Sequence, residues 1–377
     1  MKAVISGYAR SPFHFAKKGA LAAVRPDTLA AQVVVGLLQR TGLDPALLED
    51  IILGCAYPEA SQGNNLARII GLMAGLPLQV GGMTINRFCG SSMSAIHIAA
   101  AQIEAGVGDA FLCVGVESMT MVPQGGFNFS PEPTLYEHSD AYISMGQTAE
   151  NVARRYGVTR ADQEQLAVQS HQKAAAAREG GRLRDEIVPI LPVAGEAITA
   201  DGCIRPGTSL EALAALRPVF DEAGVVTAGT SSPLTDGAAA VLVTSDEFAA
   251  RHQLQPLARI KAMATIGCDP GLMGIGPIAA TRKALTRAGL TAADLEVVEI
   301  NEAFASQALA CIHELGLDPA TINLDGGGLA IGHPLGATGA RITGKAAALL
   351  AREKGRYGLA TQCVGGGQGI ATILEAL

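Results

Sequence analysis

This sequence is poor in charge and has no closely paired cysteines. Asp, Glu, Lys and Arg together make up 17% of it, against 49% hydrophobic residues. A chain of that composition buries much of itself and is expected to lose further surface to subunit contacts. The 28 basic and 35 acidic residues leave a net charge of −7 with no basic stripe, which argues against a nucleic-acid partner. The seven cysteines are Cys55, Cys89, Cys113, Cys203, Cys268, Cys311 and Cys363. No two form a CxxC pair and their number is odd, which argues against a metal site and against a disulfide framework. A reducing, cytoplasmic compartment suits such a set. The N-terminus, MKAVISGYARSPF, has no long apolar signal core and reads as a strand and a turn. The longest uncharged stretch, Ile69 to Asn86, is broken by Pro77 and several glycines, so it reads as buried structure and not as a membrane span.

What the chain does have is length, glycine and an internal echo. Its 377 residues suit two fused core units, or one large α/β unit with an insertion. The 45 glycines are not periodic; they fall in short runs, where backbone must approach something closely. Residues 37–49 (LLQRTGLDPALLE) resemble residues 284–296 (ALTRAGLTAADLE) at an offset of 247. Both read as a helix ended by Gly, a short turn and an apolar strand. At the same offset Cys89 to Ile103 falls on Gly336 to Leu350, and both read as Ala-rich helices with strands after them. Two blocks sharing one offset point to duplication. The expected fold is α/β, with two duplicated βαβαβαββ halves packed together. The first half is residues 1–117 plus 225–250, and the second is 257–377. Residues 118–224 are an inserted loop domain with a helical run from Ala161 to Glu179.

Four positions stand out chemically. Cys89, in NRFCGSSMSAIHIAA, follows an apolar segment with a Gly81-Gly82 turn and opens a helix. Unpaired N–H groups at such a helix start would lower its pKa, although an arbitrary cysteine is more often a small core residue. His333 lies in GGGLAIGHPLGATGAR, a loop crowded with glycines. By the duplication this loop enters the helix that matches the one opened by Cys89. A lone loop histidine usually caps backbone; the glycines around this one ask for another reason. Cys363 ends a strand in TQCVGGGQG, and Asn301 follows a strand in NEAFA, where a turn-forming Asn is the plain alternative. Cleavage of a 3-oxoacyl chain needs a soft nucleophile, a base for it and an acid for the departing enolate. Cys89 with His333 offers the first pair and Cys363 a second proton-transfer group. Backbone N–H groups near Cys89 and Gly365 suit one oxyanion, and His333 with a water on Asn301 suits the other.

The segments NRFCGSSM, GVESM, MGQTAENVA, VTAGTSSPLTDGAAA, MGIGP, NEAFA, GHPLGATGAR and CVGGGQG resemble the signatures of thiolases, in the family's order. The resemblance implies that Cys89 is the acylated nucleophile, His333 its base and Cys363 the acid–base at the acetyl α-carbon. It implies that Asn301 holds the oxyanion water. Coenzyme A would be bound as a substrate, not held as a permanent cofactor. Arg205, Phe220, Ala228, Ser232, Met145 and Phe304 would line its site, with Arg205 at the phosphate end and Ser232 at the pantetheine. Ser144 and Thr230-Ser231-Ser232 differ from short-chain biosynthetic members, and GGFNFSPEP looks more like degradative 3-ketoacyl-CoA thiolases. A hydratase-dehydrogenase partner subunit is compatible with that branch. The competing readings are an acetoacetyl-CoA-forming thiolase, a decarboxylating ketoacyl synthase and a non-catalytic acyl-lipid binder. Cys363 stands where the synthase class expects a second His, and no catalytic residue is lost as a binder would lose one.

Overall fold

The computed structural model describes residues 2–377; Met1, which opens the N-terminal stretch discussed above, lies outside the described residues. The N-terminal elements are β1 (Ala3–Arg10), β2 (His14–Phe15), α1 (Pro26–Thr41), β3 (Asp50–Gly54), α2 (Leu66–Met73), β4 (Gly81–Ile85), α3 (Ser91–Glu104) and β5 (Ala110–Ser118). A long connection carries α4 (Pro133–His138), α5 (Met145–Tyr156), α6 (Arg160–Glu179) and α7 (Leu210–Ala214) before β6 (Thr235–Ser245) and α8 (Asp246–Arg251). Then come β7 (Ala258–Gly267), α9 (Gly276–Ala288), β8 (Val297–Ile300), α10 (Ala305–Leu315), α11 (Gly328–Ile331), α12 (Leu335–Glu353), β9 (Tyr357–Val364) and β10 (Gln368–Glu375).

The strand order is β4-β3-β5-β6-β1-β7-β10-β9-β8, mirrored about the β1–β7 junction except that β4 has no counterpart beyond β8 among the described residues. In each half the first strand pairs antiparallel with the last, and the last with the one before it; the inner connections are parallel. The offset of 247 survives in detail. α1 and α9 end at Gly42 and Gly289, both left-handed, with φ of 67° and 68°. Glycine closes a helix there without a Cβ penalty. The duplicated α/β architecture expected from the sequence is present.

Side-chain alternation distributes the strands between cores. Along β5, Leu112, Val114 and Val116 face α1 and α2, whereas Phe111 and Cys113 face α3 and α12. Along β10, Ala371 and Ile373 pack with α9 residues while Ile370 and Leu374 join the α3–α12 core. The period of two therefore buries both faces, and α3 and α12 are sandwiched between the two halves. Their close approach needs glycine. A Cβ on Gly339 would lie 2.3 Å from the Met93 nitrogen, and one on Gly54 2.2 Å from the Ser92 nitrogen.

The long connection is tied back by charge. Arg10 of β1 meets Glu186 at 2.7 Å and Asp201 at 2.6 Å, and Lys345 of α12 meets Glu186 at 2.8 Å, all buried. Such pairs fix geometry more than they add stability.

Two local expectations fail. Gly81 and Gly82 are not a turn; they lie in β4, opposite Asp50 and Ile51. A Cβ on Gly82 would strike the Arg68 nitrogen at 2.6 Å, so glycine serves the packing of α2 on the strand. The Ile69–Asn86 stretch is also not wholly buried: β4 is partly exposed, and Leu78 is 77% exposed. Among the described residues β4 pairs only with β3, so it is an edge strand of the sheet. Among the described residues no helix is long and apolar enough to cross a membrane.

Candidate active site

Cys89 sits in a single tight turn, Phe88–Gly90, between β4 and α3. Phe88 adopts φ of 44°, a left-handed conformation held by two side chains. Its N–H donates to Asn86 Oδ1 at 2.7 Å, and Ser91 Oγ donates to its carbonyl at 2.6 Å. The Gln362 side-chain amide donates to the Cys89 carbonyl. A Cβ on Gly90 would lie 2.8 Å from Val364 Cγ2, so the turn rests on the strand that carries Cys363. Burial pushes the Cys89 thiol up to about 12, partly offset by the Gly365 backbone N–H. The lowered pKa expected from the helix start is therefore not the resting state. Desolvation outweighs the N–H groups, and the buried sulfur rests as a thiol.

Cys363 is fully buried at the end of β9, and its thiol too is raised, by burial first and by Cys89 second. Val364, the next residue, lies against Gly90, so the strand end with Cys363 and the turn with Cys89 are adjacent. Met273 and Ala303 pack on Cys363, with Met145 and Phe304 at the margin.

His333 enters from the loop before α12. Gly332 at φ of 111° precedes it, and its own N–H donates to Thr235 Oγ1 at 3.1 Å. Its Nδ1 lies 2.6 Å from Thr338 Oγ1, one turn into α12. That hydroxyl reaches the Pro334 carbonyl at 3.5 Å as donor, so it is set to accept Nδ1–H and leave the lone pair on Nε2. Burial, with Arg341 second, holds the imidazole down at about 4 and hence neutral at pH 7. Asn301 leaves β8 beside it, its Nδ2 3.3 Å from Nδ1 and 3.4 Å from Nε2. The Asn301 Oδ1 is buried with no protein partner. Leu335, two residues beyond His333, shares a buried cluster with Cys89, Ala56 and Met119. The elements that carry Cys89, Cys363, His333 and Asn301 therefore pack against one another from both halves.

The coenzyme A candidates divide. Phe220 and Phe304 meet edge to face at 6.0 Å, beside Met145 and Cys363. Ser232 N–H donates to the Ala303 carbonyl at 2.9 Å, which brings it alongside. Arg205 stands apart: it is exposed, with its guanidinium 4.9 Å over the Phe15 ring. Ala228 is exposed.

Two buried carboxylates had no assigned role in the sequence. Glu117 accepts from the N–H groups of Ala56 at 2.8 Å, Tyr57 at 3.2 Å and Gly336 at 2.9 Å, and from Gln62 at 2.9 Å. It ties the Cys89 surroundings to the start of α12. Glu302 accepts from Ser170 and Asn323, each at 2.7 Å, and from Leu329 N–H at 3.2 Å, bracing the loop next to Asn301. Their only signal was a place inside the GVESM and NEAFA segments.

The family models agree with this geometry. The model described as Thiolase, N-terminal domain matches residues 3–247, and Thiolase, C-terminal domain matches residues 254–376. A 3-ketoacyl-CoA thiolase from Shewanella sp. (strain W3-18-1) is 47% identical over 384 residues, covering 99% of each chain. One from Shewanella sp. (strain ANA-3) is 48% identical over the same span. On this evidence the chain belongs to the thiolase family.

Proposed function

We propose that this chain cleaves 3-oxoacyl-CoA with a second coenzyme A, giving acetyl-CoA and an acyl-CoA shortened by two carbons. The observation that carries this reading is the packing of the turn with Cys89 on the strand end with Cys363, where Leu335, two residues beyond His333, shares the Cys89 cluster and Asn301 lies against His333. His333 takes the Cys89 proton as the sulfur adds to the 3-oxo carbon, so charge appears only when substrate is present. The oxyanion formed there meets backbone N–H groups at Cys89 and Gly365, the two that already point at the sulfur. The bond between C2 and C3 then breaks. The acyl group stays on Cys89, and the Cys363 thiol gives its proton to the acetyl enolate. In the second half, coenzyme A transfers its proton through Cys363 thiolate and attacks the thioester, and Cys89 leaves as a thiol reprotonated by His333.

In this reading residues 118–224 form a loop domain, between halves of 1–117 with 225–250 and 257–377. Met145, Phe220, Ser232 and Phe304 flank the pantetheine, with Arg205 and Ala228 further out. Assembly as a homodimer or homotetramer, a hydratase-dehydrogenase partner and a cytoplasmic setting belong to the same proposal. Seven unpaired cysteines support the last of these. The test is intact-mass measurement after mixing with acetyl-CoA. An acetyl adduct that maps to Cys89, and thiolysis of 3-oxoacyl-CoA by the same preparation, are expected. A folded protein that gives neither lacks the proposed activity.

A further inference from the structure

We propose that Glu299 and Arg341 are positioning residues for the imidazole: their buried ion pair sets β8 against α12 at the register in which Asn301 meets His333. This rests on the thiolase reading above and adds to it two charges that the mechanism does not use.

The strand and the helix are joined twice. Val298 and Ile300 of β8 pack among α9 and α10 residues, so by the period of two Val297, Glu299 and Asn301 face α12. Along α12, Thr338 and Arg341 lie one turn apart on one face. The first link runs from Asn301 to His333 at 3.3 Å and from His333 to Thr338 at 2.6 Å. The second is Glu299 to Arg341 at 3.1 Å, with both side chains buried. Arg341 also donates to the Gly326 carbonyl at 3.2 Å, at the head of the glycine-rich run that leads to His333. Strand, helix and loop therefore meet on one guanidinium. Lys345, one turn further on, takes Glu186 and Asp325 instead.

Stability does not explain the pair. Taking two charges out of water costs about as much as their attraction returns, and an apolar pair of similar volume would fill this core as well. The pair is also poorly saturated: Arg341 Nε and both Glu299 carboxylate oxygens have no hydrogen-bond partner in the protein. What charges supply and hydrocarbon does not is a fixed register, because sliding the helix along the strand would leave each charge buried alone. Register matters at His333, since a misplacement of about 1 Å at a reacting group can cost on the order of 10²-fold in rate. Arg341 acts in the same direction through its charge. After burial it is the next cause of the low imidazole pKa, which keeps His333 neutral and able to take the Cys89 proton.

The experiment measures kcat and KM for thiolysis of 3-oxohexanoyl-CoA, the rate at which acetyl-CoA acetylates Cys89, and the urea midpoint. It compares the wild type with Glu299→Gln, Arg341→Lys and the double variant Glu299→Leu/Arg341→Met. Arg341→Lys should lower kcat about tenfold or more with KM within about threefold, and acetylation should slow in parallel. The double variant should keep a urea midpoint close to that of the wild type and still lose about tenfold in kcat, a loss that a purely structural role would not give. A double variant that folds and turns over like the wild type would overturn the proposal. If the double variant does not fold, Glu299→Gln decides. It keeps the shape and removes the charge, so kcat should fall about threefold to tenfold at unchanged KM, and a wild-type kcat would overturn the proposal. A KM that rises as far as kcat falls would overturn it too, since the pair would then serve coenzyme A binding. These outcomes leave the thiolase reading intact. A wild type that shows neither thiolysis nor acetylation would overturn that reading and this inference together.

Discussion

The two halves share a plan but present their reactive groups differently. In the first, β4 leads into the Phe88–Gly90 turn, and Cys89 sits just before the start of α3. In the second, the offset of 247 would place a strand at 328–332, but the chain forms the short helix α11 there instead. What survives of the third strand is a lone parallel bridge, Val298 to Ile322. The freed residues become the Gly-rich loop that delivers His333. One half has a strand ahead of the turn that carries Cys89; the other has a short helix ahead of the loop that carries His333. A duplicated scaffold thus supplies matched helix starts, and function comes from where the repeat is broken.

Removing either group tests that division of labour. Cys89→Ala should abolish turnover and the acyl adduct, a loss of about 10⁴-fold or more, since no other group can carry the acyl chain. His333→Asn should retain the fold and lower kcat by about 10²–10⁴-fold, the range of a general base. If His333→Asn matched the wild type, the broken repeat would not be the source of the base. The joint between halves comes next. Glu117→Gln places an amide where four donors converge, so it should cost about 2–4 kcal/mol in urea unfolding, with kcat falling more than KM. A neutral result would mean that the α12 start holds its position without the first half.

The pH dependence of stability tests the burial of His333 in the second half. His333 is held at about 4 in the native state, against an ordinary value of 6.5. Between those values the unfolded chain binds more protons, so stability rises with pH there and is lost as pH falls from 6.5 toward 4. Burial gives His171, at about 4, and His97, at about 3, the same sign. His333→Asn should therefore remove part of the acid sensitivity, on the order of 2–3 kcal/mol between pH 7 and pH 4, seen as a smaller drop in Tm. An identical drop would indicate a solvated imidazole. The mildest change is in the loop itself. Gly332→Ala meets a φ of 111° and puts a Cβ 2.7 Å from Thr235 Cγ2. It should cost about 1–3 kcal/mol and displace His333, whereas Gly75→Ala, also left-handed but in open space, should leave activity intact.

Much of the site could be read from the chain because the reactive residues sit in local contexts that are themselves readable. A strand, a turn and a glycine-opened helix named Cys89; a crowd of glycines named His333. The shared offset gave the halves, since Arg40 and Arg287 each precede a helix-ending glycine. What stayed hidden depends on long-range packing. The role of Glu117 comes from donors at 56, 57, 62 and 336, a set no local pattern displays. The high pKa of Cys89 follows from burial by Ala16, Met119 and Leu335, so the helix-start argument had the right location and the wrong sign for the resting thiol. Gly81 and Gly82 misled because close packing and turns draw on the same residue type.

The central claim is that Cys363 handles the acetyl proton while Cys89 carries the acyl group, both in one pocket. The most direct measurement follows deuterium uptake into the methyl group of acetyl-CoA in heavy water, alongside intact mass, for the wild type and Cys363→Ala. The account expects exchange only in the wild type and an acetyl adduct on Cys89 in both. Undiminished exchange in Cys363→Ala would contradict it.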